Sequence, residues 1–270
     1  MRFRGLVGAG LFVGLGLDCA SAPRFIDRAQ RLTLTGAIAS APLRAEPERG
    51  AEYEEGTSSS AAAGIAPATR YASLSHEGCA AELAARSIVH EALAPRLGIR
   101  SPVRLRGPLS GVTFRTLWPE VERARTSFEI CDCRLVLALD DFAKLLRTYA
   151  IVDVMYFSAY RPPPAGWSEP EGLRHEGGLA IDIGYFRKAD GSALNVEADF
   201  VPRPHERICA PGNPPPPRDA TMSAIELRKI ACDAAAAQLF HLALTPAYDR
   251  VHRDHFHLEV TPGKTDFVAR

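Results

Sequence analysis

Near its end the chain reads VHRDHFHLEV, residues 251–260, with His252, His255 and His257 inside six positions of a sequence that holds only eight histidines. Earlier, RHEGGLAIDIGYF (174–186) sets His175 seven residues before Asp182, across Gly177 and Gly178. Imidazole nitrogens and carboxylate oxygens are the ligands of borderline divalent metals. Two imidazoles and one carboxylate leave a fourth position for water, the donor set of a catalytic zinc; a structural zinc is closed by four protein ligands, usually with thiolates. His175, Asp182 and His257 are therefore the expected metal ligands, and one Zn2+ is the expected cofactor.

Zinc brings the pKa of a bound water to about 7 and polarises a carbonyl. Hydrolysis then needs a group that takes the water's proton and a donor for the developing oxyanion. His255, beside the ligand position, is the first candidate for base or proton shuttle. Asp254 and His252 stand in reserve, although alternation along a strand would turn Asp254 away from the site. Arg161, in SAYRP (158–162), is the candidate for holding a substrate carboxylate or the oxyanion.

Two strands must position these groups. In HFHLEV, alternation gives Phe256, Leu258 and Val260 to one face and His255, His257 and Glu259 to the other. In GLAIDIGYF it gives Leu179, Ile181 and Ile183 to the core and Gly178, Ala180 and Asp182 to the opposite face. If the strands are neighbours with polar faces aligned, Asp182 meets His257 and His175 folds back over them.

Around those strands, CAAELAARSIVHEALAPRLG (79–98) places Leu83, Ile88, Val89 and Leu93 at helical spacing, ending before Gly98. VRLRGPLSGVTFRTL reads as short strands and LVLALDDFAKLLRTYA as a helix. VDVMYFSAY reads as a strand stopped by RPPP. Asp190-Gly191 marks a hairpin, and SAIELRKIACDAAAAQLF a further helix. Helices and hairpin-linked strands without strict alternation predict an α+β domain, an antiparallel sheet flanked by helices.

The start differs. Arg2 and Arg4 precede an apolar run, Leu6–Leu17, and then the small residues of DCASAP: the pattern of a signal peptide over residues 1–22. Lipidation of Cys19 is the alternative and would supply a membrane anchor; Asp18 argues against it. Residues 23–74, rich in Ala, Ser and Glu, read as a flexible tether, 75–263 as the folded domain and 264–270 as a tail. Thirty-two basic residues balance 32 acidic ones, so no basic excess points to nucleic acid. Export to a periplasm or cell envelope implies an oxidising compartment. There Cys79 is expected to bridge Cys131 or Cys133, which are too close to bridge each other, and Cys209 to bridge Cys232. No oligomer signal is present, and a monomer is expected.

SAYRP, HEGGLAID and HRDHFHLEV, in that order, resemble the extensin-like C-terminal domain family over roughly residues 75–262. That family is similar to the LAS metallopeptidases, which include D,D-carboxypeptidases, D-Ala-D-Ala dipeptidases and murein endopeptidases. The resemblance implies the hedgehog/D,D-peptidase fold, zinc on His175, Asp182 and His257, and peptidoglycan peptides as partners. It also implies an active-site role for His255 and a substrate contact for Arg161, with His252 fitting a further histidine of the endopeptidases. KADGSALNV and ACDAAAAQLF look like the same pattern. Two positions depart from it. Leu173 stands where the family usually has serine, and Tyr160 where a cysteine commonly precedes the arginine. A non-catalytic zinc-bearing module that binds cell-wall peptide or a protein is the alternative, since hedgehog domains use this fold without hydrolysis.

Overall fold

The computed structural model describes residues 64–169, 171–202, 208–209 and 220–270. The signal-peptide stretch, residues 23–63 of the tether, His205 and residues 210–219 lie outside them. Among the described residues no helix is long and apolar enough to cross a membrane.

Helix α1 (Pro67–Ala72) starts on a proline, whose fixed φ and missing N–H suit a first turn, and it buries Ala68 and Tyr71 completely. The folded part therefore begins inside the stretch assigned to the tether. A six-residue helix is too short to show a period in sequence. Helix α2 (His76–Ala85) follows, its first turn capped by the Ser75 hydroxyl, which accepts from the Gly78 N–H at 3.1 Å. The helix expected to continue towards Gly98 stops at Ala85. Ser87 takes φ 55°, and β1 (His90–Ala92) begins beyond it.

β2 (Pro102–Leu105) pairs with β1, and β3 (Thr113–Thr116) and the short α3 (Glu120–Arg123) lead to β4 (Ile130–Asp132). β1, β2 and β4 make a three-stranded antiparallel sheet. Asp132 ends that sheet and caps α4 (Cys133–Arg147), accepting from the Arg134 N–H at 3.0 Å. α4 buries Leu135, Val136, Leu137, Leu139, Phe142 and Leu146, and packs on α1, α2 and the strand that follows it. Losing a leucine of this kind to alanine costs about 2–5 kcal/mol.

That strand is β5 (Ile151–Tyr156). Beyond it come β6 (Ala180–Lys188), β7 (Ala193–Asn195), α5 (Val196–Asp199), α6 (Met222–Ala236), β8 (Leu242–Leu244), β9 (Phe256–Glu259) and β10 (Val268–Ala269). The larger sheet runs β10-β8-β9-β6-β5-β3, with β7 also pairing β6 across the Asp190-Gly191 turn. The domain is α+β. The sheet is antiparallel through its centre, but its two edge pairs, β3 with β5 and β10 with β8, are parallel. The expectation of a wholly antiparallel sheet is corrected there. Parallel neighbours come from long connections that local spacing does not reveal. β10 also brings the end of the chain, read as a tail, into the sheet.

Two cysteine pairs stand at disulfide distance. Cys79 on α2 faces Cys133 on α4 with Cα atoms 6.1 Å apart, and Cys209 faces Cys232 on α6 at 5.1 Å. Cys131 is buried and free, and burial pushes its thiol up to about 12.

Candidate metal centre

β6 and β9 are neighbours, and in their register Asp182 lies directly opposite His257. Both faces of this part of the sheet are covered, so Asp182 is only 2% exposed. The turn that carries His175 closes above it. Gly178 adopts φ +62°, and a Cβ there would stand 2.8 Å from the Asp132 backbone nitrogen; at Gly177 it would meet the Gly172 carbonyl oxygen at 2.2 Å. The Gly178 carbonyl accepts from the Asp132 N–H at 2.8 Å, tying the turn to the start of α4. Only glycine allows the chain to bend that tightly against its neighbours.

Three potential ligand atoms, one each from His175, Asp182 and His257, all lie within 4.8 Å of one another, and all three residues are buried. Asp182 Oδ1 is 3.2 Å from His175 Nε2 and 2.9 Å from His257 Nδ1. Ligands about 2.1 Å from a shared ion at tetrahedral angles stand roughly 3.4 Å apart, so the spacing suits such an ion.

The hydrogen bonds say more than the distances. His175 Nδ1 lies 2.8 Å from the Ala159 carbonyl oxygen, which can only accept, so Nδ1 carries the proton. Nε2 then faces Asp182 Oδ1, where a protonated ring donates to the carboxylate and a neutral ring, turning its lone pair there, would be satisfied by a cation between them. His257 sits between two carboxylates, with Nδ1 towards Asp182 and Nε2 3.4 Å from Glu259 Oε2. A divalent ion on the Asp182 side satisfies both imidazoles, with Nε2–H left to donate to Glu259. The donor set fits a metal.

Charge follows the same pattern. Burial alone would raise the Asp182 carboxyl, but hydrogen bonds from His175 and His257 and the nearby imidazole charge outweigh it and hold the group far below the usual carboxylate range. Burial lowers His257, yet Asp182 and Glu259 more than offset it, so its net pKa is raised. Burial raises Glu259, but His257, Thr261 and Arg174 bring it below the ordinary value.

The other expected residues are also here. His255 lies just outside β9, with Nε2 3.4 Å from Asp182 Oδ1 and Nδ1 2.8 Å from Asp254 Oδ1. Asp254 thus bears on the site through His255, although alternation turned it away. The His252 ring is 5.2 Å from that of His255 and 5.8 Å from that of His257, and its Nδ1 bonds Asp249 at 2.7 Å. His175, His255 and His257 converge on one carboxylate, while His252 packs beside them on Asp249. Arg161 lies five residues beyond β5, and Nη2 donates to Asp182 Oδ2 while Nε donates to Ser158 Oγ at 2.9 Å. Its side chain remains 52% exposed. Leu173, in place of the family's serine, is exposed. Tyr160 is buried and donates to the Leu97 carbonyl.

Sequence reasoning put Glu259 on the right face but gave it no task. Its place two residues after His257 was the available signal. Asp249, which orients His252, carried none.

A cavity of about 610 Å³ opens beside His257 and His252, walled by Arg174, Tyr248 and Arg270. The larger cavity, about 1010 Å³, runs along α6 and β10 and contains none of the clustered histidines. No family model, curated protein or solved structure matches the chain.

Proposed function

We propose that this protein is an exported, zinc-dependent hydrolase of peptide bonds, acting on peptidoglycan peptides as a D,D-carboxypeptidase or endopeptidase, on a hedgehog/D,D-peptidase-like fold. The observation that carries the reading is the buried set of His175, Asp182 and His257, with ring nitrogens committed by Ala159 and Glu259 so that the remaining donors face one point. The motif resemblance supplies the substrate class. A resident zinc would supply an acidified water and a Lewis acid for the scissile carbonyl.

The chain's own residues do the rest. Asp254 accepts from His255 Nδ1–H, which leaves Nε2 as the proton acceptor on the site side. His255 then takes the proton from the attacking water and returns it to the leaving amine. Arg161 is anchored through Nη2 and Nε, so its uncommitted Nη1 and exposed face meet a substrate carboxylate or the developing oxyanion. The cavity beside His257, lined by Leu242 and Leu244 of β8, gives the peptide room next to the site.

The test is to incubate the purified zinc-loaded protein with muropeptides and follow products by mass spectrometry. Cleavage should appear, and His255→Ala should slow it by about 10²–10⁴-fold while leaving zinc in place. Retention of muropeptides without cleavage by the native protein would move the reading to a zinc-bearing binding module. Neither binding nor cleavage would remove peptidoglycan peptide as the substrate.

A further inference from the structure

A third cavity, of about 420 Å³, lies against the small sheet of β1, β2 and β4, and Arg96, Arg104, Arg106 and Arg125 line it together with a single carboxylate, Glu91. Glu91 pairs with Arg106, and Glu129 stands 4.0 Å from Arg104, which leaves the guanidiniums of Arg96 and Arg125 unmatched on its wall. The whole chain is formally neutral, so this is a local concentration.

The four arginines are not alike. Arg104 is 6% exposed and fixed, its guanidinium donating to the carbonyls of Arg123 and Thr126. Its nearest carboxylate, Glu129, stands 4.0 Å away and already accepts from the Thr116 hydroxyl and N–H. Arg106 is held on Glu91 through Nε at 3.0 Å and through Nη2. Arg96 and Arg125 are exposed at the rim and make no ion pair or side-chain hydrogen bond among the described residues. A fixed guanidinium inside and two uncommitted ones at the mouth offer an anion between them attraction from more than one side.

Guanidinium forks match the oxygens of phosphate with two parallel hydrogen bonds. The rest of the lining is uncharged and partly apolar. Leu93, Ile130 and Tyr160 belong to a small core cluster separate from the main one, and Pro162 extends that strip. A cavity of this size exceeds what one phosphate fills. The hydroxyl-bearing Thr126 and Ser127 line the cavity beside that strip, so a hydroxylated, uncharged body there with phosphate on the arginines describes a phosphorylated saccharide. Nucleic acid fits less well, because no exposed aromatic platform for base stacking lines the cavity and the chain carries no basic excess.

We infer that this pocket binds a phosphorylated glycan, with Arg104 as its fixed anchor and Arg96 and Arg125 closing on the phosphate from the rim. Tyr160 and Pro162 flank Arg161, so the occupant would lie behind the loop that carries that arginine. The inference does not depend on the metal centre.

Calorimetric titration of the full chain with glucose 1,6-bisphosphate at low ionic strength tests it, with an oligothymidylate as the second probe. Saturable binding of the sugar bisphosphate is expected, weakened at least about tenfold by the pair R96E and R125E. The single change R125E should weaken it more than R250E, an equal charge change on an exposed loop that does not line the pocket. Unchanged metal content and melting temperature would show that the variants are folded. Absence of saturable binding, equal effects of R125E and R250E, or tighter pocket-dependent binding of the oligothymidylate would each overturn the inference.

Discussion

Two buried carboxylates sit on neighbouring central strands. Asp182 on β6 is 2% exposed and Asp153 on β5 is 1% exposed. Each lies directly opposite one of its partners in the sheet register, Asp182 facing His257 and Asp153 facing Arg187. Burial raises both carboxyls, and in both the hydrogen bonds from cationic or imidazole partners outweigh it, so both are held below the ordinary range. The partners make the difference. Asp153 accepts from the Arg115 and Arg187 guanidiniums, each with Nη2 at 2.8 Å from Oδ2. A guanidinium is always protonated and has no lone pair to offer, so that cluster is complete as a salt bridge. An imidazole can surrender its proton and ligate. A buried carboxylate of low pKa therefore does not by itself mark a metal site; the chemistry of the groups around it does.

The largest expected effect tests that distinction directly. After dialysis against buffered zinc, the native protein and Asp153→Asn should each retain about one zinc per chain, and the double variant H175A/D182A almost none. Loss of groups behind the ligands costs roughly 10–100-fold in affinity, and loss of the ligands themselves should exceed that. Elemental analysis by plasma mass spectrometry reads the outcome. Equal loss of zinc from D153N would erase the contrast between the two clusters.

The second effect lies on the other side of the comparison. Asp153→Asn leaves two guanidiniums without their counter-charge. Breaking a fully buried pair costs about 3–5 kcal/mol. Arg115 and Arg187 are 32% and 47% exposed and can rehydrate, so about 1–3 kcal/mol is expected, read by denaturant unfolding. The pH dependence has a definite sign. The folded-state pKa of Asp153 is depressed, so its contribution is present above the unfolded value of about 3.9 and is lost as pH falls through the lower folded value. The acid limb of stability should be shallower in D153N than in the native protein. An identical limb would mean that the pair contributes nothing.

Much of the metal cluster was legible because strand alternation is a local rule. HFHLEV and LAIDIG each sort their side chains without reference to the rest of the chain, and one register assumption then brings Asp182 to His257. The Asp153 cluster was not legible, since Arg115 reaches it through the parallel pairing of β3 with β5, across α3, β4 and α4. The same reason hid the parallel edges of the sheet. β1 was mistaken for helix because Ile88, Val89 and Leu93 happen to fall at helical spacing after a true helix. The turn at Ser87 that separates them has no glycine or proline to announce it. Asp254 shows the opposite limit. Alternation holds only inside a strand, and β9 begins at Phe256, so the rule was applied two residues too far.

The smallest effect concerns what stands behind the ligands, where the two clusters differ in kind. Arg115 and Arg187 have one protonation state and need no partner to select it. His257 has two nitrogens, and Glu259 decides which of them faces Asp182. Glu259 is 4% exposed and accepts from the Thr261 hydroxyl at 2.7 Å, with Arg174 at 3.5 Å, so its own position is fixed. Glu259→Gln keeps an oxygen to accept from His257 Nε2–H but removes the charge, and zinc affinity should fall by about tenfold. Glu259→Leu removes the acceptor as well and should approach a hundredfold. Competition with a chelator of known affinity measures both. A graded loss would show that the acceptor and its charge act separately on the ligand, whereas native affinity in the leucine variant would show that Asp182 alone sets the orientation of His257.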